Sequence, residues 1–292
     1  MQGHCPLNGE WSQVSQAVRL HSESATGPWT FDSVIVDSEA HNVKPFRSPA
    51  GEWLIFYVGA KDNITRQCTP SIHEVQLGYP LPKEAAGPVF VASAAAVDAP
   101  PEAWTIHGPM TDSVDWHSAT NPSPVWIGDN GTVRMVVSRR WNLGGGRNTK
   151  NNWLMQANNW RGPWRNITQS YAQAIDSGED PDMFKTPRGW HMLNHNTGPG
   201  SSVLSYSLDG LKWIIPKSHP NAFNMSFSWL NGTRSAVCSR QRPQVVMSLE
   251  DGLPAWLWNG VGDCNASGML DSPTYRTWTM AQRIGRGSTF GA

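Results

Sequence analysis

HNVKPFRSPAGEWLIFYVG, residues 41–59, carries the reading that decides the fold. A polar residue, Asn42, opens it close to a proline, a turn with Gly51 follows, and the apolar run Trp53–Val58 closes it. Short β-branched and aromatic runs bounded by Gly, Pro, Asn and Asp are strand and hairpin punctuation. The same order recurs in NPSPVWIGDNGTVRMVV (121–137), EDPDMFKTPRGWHMLNH (179–195) and RQRPQVVMSLEDGLPAWLWNGV (240–261). Their anchors, Asn42, Asn121, Asp180 and Arg242, stand roughly 60 to 80 residues apart, about what four short strands and their turns consume.

Working outward, a tryptophan closes each stretch: SATGPW (Trp29), APPEAW (Trp104), WRGPW (Trp164), SLDGLKW (Trp213) and SPTYRTW (Trp278). The first has no matching inner pattern upstream, so the chain reads as four full units plus half of one. The expectation is an all-β, five-bladed β-propeller with a partial first blade, a single domain over 1–292 in which 1–17 is poorly defined. Sheets of this kind pack face to face and leave only short protected edges. The innermost strands would then line a central channel with each anchor at its mouth, and the closing tryptophans would lie on outermost strands, packed between blades. Most of the sixteen tryptophans are expected in the core.

Charged residues are 16% of the chain, the net charge is zero and the 23 basic residues are scattered. Nothing there builds a phosphate-binding surface, so nucleic acid is not an expected partner. No apolar run approaches the roughly 18 residues of a membrane span, and no signal peptide is visible. A monomer is expected. Six N-x-S/T sequons, at Asn63, Asn130, Asn166, Asn224, Asn231 and Asn265, argue for secretion as a glycoprotein. A true amino terminus missing from this sequence accounts for the lost half unit and the lost signal together. Of the three pairings that Cys5, Cys68, Cys238 and Cys264 allow, Cys238 with Cys264 in the last unit is favoured.

SATGPWTF, RGPWRNIT, the Asn-Pro and Asp-Pro openings and SYSLDGLKW, which is similar to a sialidase Asp-box hairpin, together resemble the five-bladed β-propeller glycosidases, nearest to glycoside hydrolase family 43. The resemblance spans about Val18 to Ile284. It implies inverting hydrolysis at a carbohydrate pocket, with an Asp base, a second Asp that tunes and positions, and a Glu acid on the inner strands of the first three blades. This chain departs from that pattern. The strand that keeps the base is missing, and Asn42 and Asn121 cannot exchange a proton near neutrality as a carboxylate can.

The strongest acidic group is Glu179-Asp180-Pro181-Asp182. On a regular strand Asp180 and Asp182 share a face about 7 Å apart, close to the roughly 6.5–9.5 Å that holds a water between the carboxyls of an inverting enzyme. Otherwise they cap an Asp-Pro turn. Asp180 and Glu179 are the catalytic candidates, and Asp182 a substrate contact. Arg240 and Arg242 make a forked donor array for carboxylates or vicinal hydroxyls if both face the channel; alternatively, one pairs with the acidic cluster. His41 stands beside Asn42 and can bind a hydroxyl or serve the core. Asp115-Trp116 offers a carboxylate and a stacking ring on an entering loop, and Asp37 and Glu39 precede His41 similarly; either pair is a stand-in for the base.

His191 and His195 lie about 13 Å apart on a strand, too far to share a zinc ion. NLGGGRNTK (142–150) lacks the spacing of a phosphate loop and reads as a hairpin loop. No cofactor is expected, with a structural calcium in the channel as the open alternative. Two readings remain: a secreted glycosidase acting on a plant or algal polysaccharide, and a non-catalytic carbohydrate-binding propeller. They differ by one complete acid and base pair around the channel. A protein-interaction propeller would instead show an apolar mouth.

Overall fold

Each polar anchor read from the sequence opens the first strand of an antiparallel sheet, and each apolar run forms the strand beside it. The computed structural model describes residues 2–4, 15–37, 40–59, 88–110, 119–128, 130–142, 148–168, 178–195, 202–216, 221–263 and 277–285, with no side-chain detail for a few of them. The chain divides into two compact units, Met1–Asn148 with Trp153–Ile167, and Thr149–Asn152 with Thr168–Ala292.

In the first unit, β1 (Gln2–His4), β2 (Ser15–His21) and β3 (Thr30–Val36) form a three-stranded sheet. Next come β4 (His41–Arg47), β5 (Trp53–Val58), β6 (Val89–Ala94) and β7 (Thr105–His107), a four-stranded meander, with a 3-10 turn at Pro101–Ala103 before β7. The third sheet is β8 (Ala119–Trp126), β9 (Val133–Asn142), β10 (Asn148–Ala157) and β11 (Arg165–Asn166). Strict alternation drives the packing: Leu54 and Phe56, Val89 and Val91, and Val133, Met135 and Val137 point to one buried face of their strands. Full burial of Phe56 alone contributes about 1.5–3 kcal/mol.

In the second unit, β12 (Glu179–Thr186), β13 (Gly189–His195) and β14 (Ser202–Ser207) form a sheet to which Ile214 adds a single bridge at Tyr206. A separate hairpin, β15 (Ser226–Ser228) and β16 (Arg234–Ala236), precedes the last sheet, β17 (Ser239–Met247), β18 (Pro254–Gly262) and β19 (Thr277–Arg283). Phe184, Leu193, Leu204, Phe223 and Leu257 make its main core. The Asp-box-like hairpin forms as its sequence implies: Asp209 accepts from the Leu211 and Lys212 amides at 2.8 Å, and these bonds pull its carboxyl down to about 2.

The closing tryptophans diverge from expectation. Trp104 is buried and Trp164 packs edge-on against Phe56, but Trp29 is 40% exposed and Trp278 is 36% exposed. The turn before the tryptophan repeats more faithfully than the ring's burial does: Gly27 bonds back to Ser24 and Gly162 to Asn159, both glycines at positive φ. Most of NLGGGRNTK lies outside the described residues; its ends are the close of β9 and the start of β10.

A candidate site at the bulged inner strands

Asn42, Asn121, Asp180 and Arg242 are the four described non-glycine residues with positive φ, at 53°, 55°, 53° and 51°. Each stands at a β-bulge. Register slips between His41 and Lys44 on β4, Thr120 and Ser123 on β8, Glu179 and Asp182 on β12, and Gln241 and Gln244 on β17. The residue after the anchor is Val43 in the first and proline in the other three, and proline suits a position with no partner for an amide. Left-handed backbone costs about 1–2 kcal/mol for most residues and less for Asn or Asp. Held strain of this kind concentrates at functional sites.

In the first unit the two anchors meet: Asn42 Nδ2 donates to Asn121 Oδ1. His41 is buried, with its Nδ1 3.3 Å from Ser15 Oγ of β2, which favours the core role over the sugar contact among its two readings. Lys44, which the sequence reading passed over, sits opposite Phe56 on this strand. It keeps partial exposure, but the surrounding protein strips water from its ammonium and lowers it to about 7. Asp37 is exposed and accepts from Gln16 Nε2 at 2.6 Å. Asp115, Trp116 and Glu39 lie outside the described residues.

A groove of about 570 Å³, lined by Arg47, Ser48, Gly51, Trp126 and Gly128, belongs to the opposite end of these strands. Along β4 it begins about 16 Å from Asn42.

In the second unit the anchor is ionisable. Asp180 Oδ2 lies 3.3 Å from His195 Nδ1, within ion-pair range though outside hydrogen-bond alignment, and both side chains are largely buried. Glu179 is the register partner of His195 and is half-buried. A carboxylate and an imidazole pass a proton once they close to hydrogen-bond reach, about 2.6–3.2 Å, or through one water. The sequence held a signal for the pairing: counting outward from the turn that joins Thr186 to Gly189 brings His195 opposite Asp180, or opposite Glu179 once the bulge is included. His191, four residues away on the same strand, bonds Thr186 Oγ1 at 2.9 Å and stacks on Phe184.

Two expected site residues take structural places. The bulge breaks the alternation that would put Asp182 on the face of Asp180; Asp182 is 2% exposed and accepts the Val245 amide at 2.5 Å, tying β12 to β17. Arg240 is likewise turned inward. Its Nε donates to Asn259 Oδ1 at 3.0 Å, Nη1 to the Asn224 carbonyl at 2.8 Å and Nη2 to Gln282 Oε1 at 2.7 Å, while the guanidinium lies over the Phe223 ring. Burial lowers it to about 10. Three of its N–H groups and the face over Phe223 are thus engaged in packing, which gives Arg240 a structural place instead of the expected fork with Arg242. Arg242 is half-buried on its bulge.

Among the described residues no group of three His, Cys, Asp or Glu side chains gathers to hold a metal. Cys238 is disulfide-bonded; the other three cysteines, Cys5, Cys68 and Cys264, lie outside the described residues.

Neither a protein-family model nor a curated protein matches the chain. Solved structures do. A family 117 glycoside hydrolase of the marine bacterium Zobellia galactanivorans superposes at a TM-score of 0.60 and 16% identity, over 93% of this chain and 70% of that one. A thermostable family-43 glycoside hydrolase follows at 0.57 and 13%, over 93% and 82%. An alpha-L-arabinofuranosidase from Lactobacillus brevis gives 0.59 and 10%, over 93% and 83%. At such identities the likeness is one of fold: all-β, that of the five-bladed β-propeller glycoside hydrolases.

Proposed function

We propose that the protein is a glycoside hydrolase acting on an extracellular plant or algal polysaccharide, with its acid–base chemistry at the opening of β12. The observation that carries this reading is the Asp180–His195 pair, set on a strained bulge in a fold shared with glycoside hydrolases. Asp180 and Glu179 are the proton-exchanging carboxyls, His195 orients Asp180 and relays its proton, and Arg242 on the neighbouring strand β17 orients sugar hydroxyls or a uronate. Turnover through two carboxyls with a water between them inverts the anomeric centre. The disulfide at Cys238 supports an oxidising, extracellular setting.

A second reading has its own support. Asn42 and Asn121 occupy two inner-strand openings with amides bonded to each other, which suits hydroxyl recognition and leaves those strands without a base. That favours a non-catalytic carbohydrate-binding propeller. Incubation with arabinan, xylan and uronate-containing polymers, with reducing ends and binding both measured, separates the two. Release of sugar that disappears in Asp180→Asn while binding persists supports the hydrolase. Binding without release in both proteins supports the second reading, and neither binding nor release overturns both.

A further inference from the structure

Hairpin β15–β16 ends in an exposed five-residue turn, Trp229-Leu230-Asn231-Gly232-Thr233, that contains one of the six sequons. The turn is tightly built. The Trp229 amide donates to the Thr233 carbonyl at 2.8 Å, the Gly232 amide to the Trp229 carbonyl at 2.9 Å, and Gly232 has φ 82° with open space where a side chain would stand. Asn231 Oδ1 accepts both the Thr233 amide at 3.0 Å and the Thr233 hydroxyl at 2.7 Å. Asn231 is exposed and both of those bonds are to its Oδ1, which leaves the Nδ2 end of the amide for solvent.

Two residues before that amide stands an aromatic ring that is partly open to solvent. Trp229 is 43% exposed and Leu230 is 99% exposed. The ring is held in place by Nε1 donating to Ser235 Oγ at 2.7 Å and by an edge contact with Phe227 at 5.0 Å. A fixed, partly exposed indole two residues before the asparagine of a tight turn can offer its face to the apolar C–H face of a pyranose joined to that amide.

The geometry points to Asn231 as an N-glycosylation site whose first N-acetylglucosamine covers the Trp229 ring. The transfer forms a bond from Asn231 Nδ2 to C1 of the sugar and breaks the bond from that carbon to the diphosphate of a lipid-linked oligosaccharide donor. One amide proton leaves, the lipid diphosphate is the leaving group, and nothing is oxidised or reduced.

The other described sequons differ in the feature that matters. Trp164 also stands two residues before an asparagine, Asn166, but its ring packs on Phe56 and its Nε1 is bonded to the Trp160 carbonyl. Asn130 is exposed and has Gly128 at that position, with its Oδ1 taking only the Thr132 amide. Asn224 has Ala222 there, and its carbonyl is held by Arg240. Asn63 and Asn265 lie outside the described residues.

The inference rests on the proposed secretory route, and the test separates the two. The full chain is secreted from a eukaryotic cell behind a supplied leader, and glycopeptides of the folded, disulfide-bonded product are mapped by enzymatic release in heavy-oxygen water. Asn231 is expected to carry the label on most molecules. Thr233→Ala should abolish it. The melting temperature of the glycosylated protein should exceed that of the enzymatically deglycosylated one, and Trp229→Ala should remove this difference. Folded product with Asn231 unmodified overturns the proposal whether or not Asn130 or Asn166 is occupied. An occupied Asn231 whose stabilising effect survives in Trp229→Ala overturns the role of the ring. Failure of the hydrolase reading leaves all of these outcomes unchanged.

Discussion

The two units set the same backbone device around different chemistry. In the first, the left-handed anchors are neutral amides, Asn42 and Asn121, bonded to each other. In the second, the β12 anchor is a carboxylate, Asp180, facing His195. Equivalent bulges on four inner strands therefore belong to the architecture, while reactivity depends on which side chain the bulge happens to carry. One position explains both halves: a residue at φ near 50° is lifted out of the sheet's pairing, and Asn and Asp tolerate that backbone better than other residues that carry a side chain.

The most severe way to break the comparison is Asp180→Asn, which makes the second unit resemble the first. Removing a proton-transfer group costs about 10²–10⁴-fold in turnover. Initial rates on the polymer that the protein degrades should fall by that range with little change in melting temperature. A loss below tenfold would remove Asp180 from the chemistry.

Asn121→Ala should do the reverse. It leaves the part-buried amide of Asn42 without its acceptor and puts alanine at φ 55°, together a cost of about 2–4 kcal/mol read by urea unfolding, with turnover per folded molecule unchanged. A collapse of turnover at full stability would place the first unit's amides in the reaction.

Smaller still is the contrast between Arg242→Gly and Arg242→Val. Glycine accepts φ 51° freely and a β-branched residue does not, so valine should be less stable than glycine by about 1–3 kcal/mol. Equal stabilities would mean that the bulge relaxes and stores no strain.

The finest test concerns Lys44. Its folded value of about 7 lies below the ordinary 10.5, so between those values the unfolded chain binds a proton that the folded chain lacks, and stability climbs with pH across that window. Below about 7 both states are protonated and the burial penalty is present in full; above 10.5 it is gone. Subtracting the unfolding profile of Lys44→Met should isolate this climb. A flat difference would show that the ammonium remains hydrated.

Much of the fold was legible because strand signals are local. The runs around Phe56, Met135 and Leu193 are rich in apolar and aromatic residues, and the turns around Gly51, Gly189 and Gly210 carry residues suited to positive φ or tight reversal. The anchors were legible for the same reason, as polar residues repeated before a proline or an apolar run. Less of the site was. The sequence presents Asp180 and Asp182, or Arg240 and Arg242, as like pairs two residues apart, and a bulge of one residue sends one member of each into the interior, Asp182 to the Val245 amide and Arg240 to Asn259, Asn224 and Gln282.

The sequence by itself determined the repeat, the strand order within each unit and the polar anchor at each inner strand, because hydrophobic period and turn chemistry act between near neighbours. Only the tertiary structure decided that the two asparagine anchors touch, how closely the Asp180 carboxylate approaches His195, and which charges are consumed in packing. Those outcomes depend on side chains brought together from residues 15 to 79 positions apart, through bulges that shift the register by one residue.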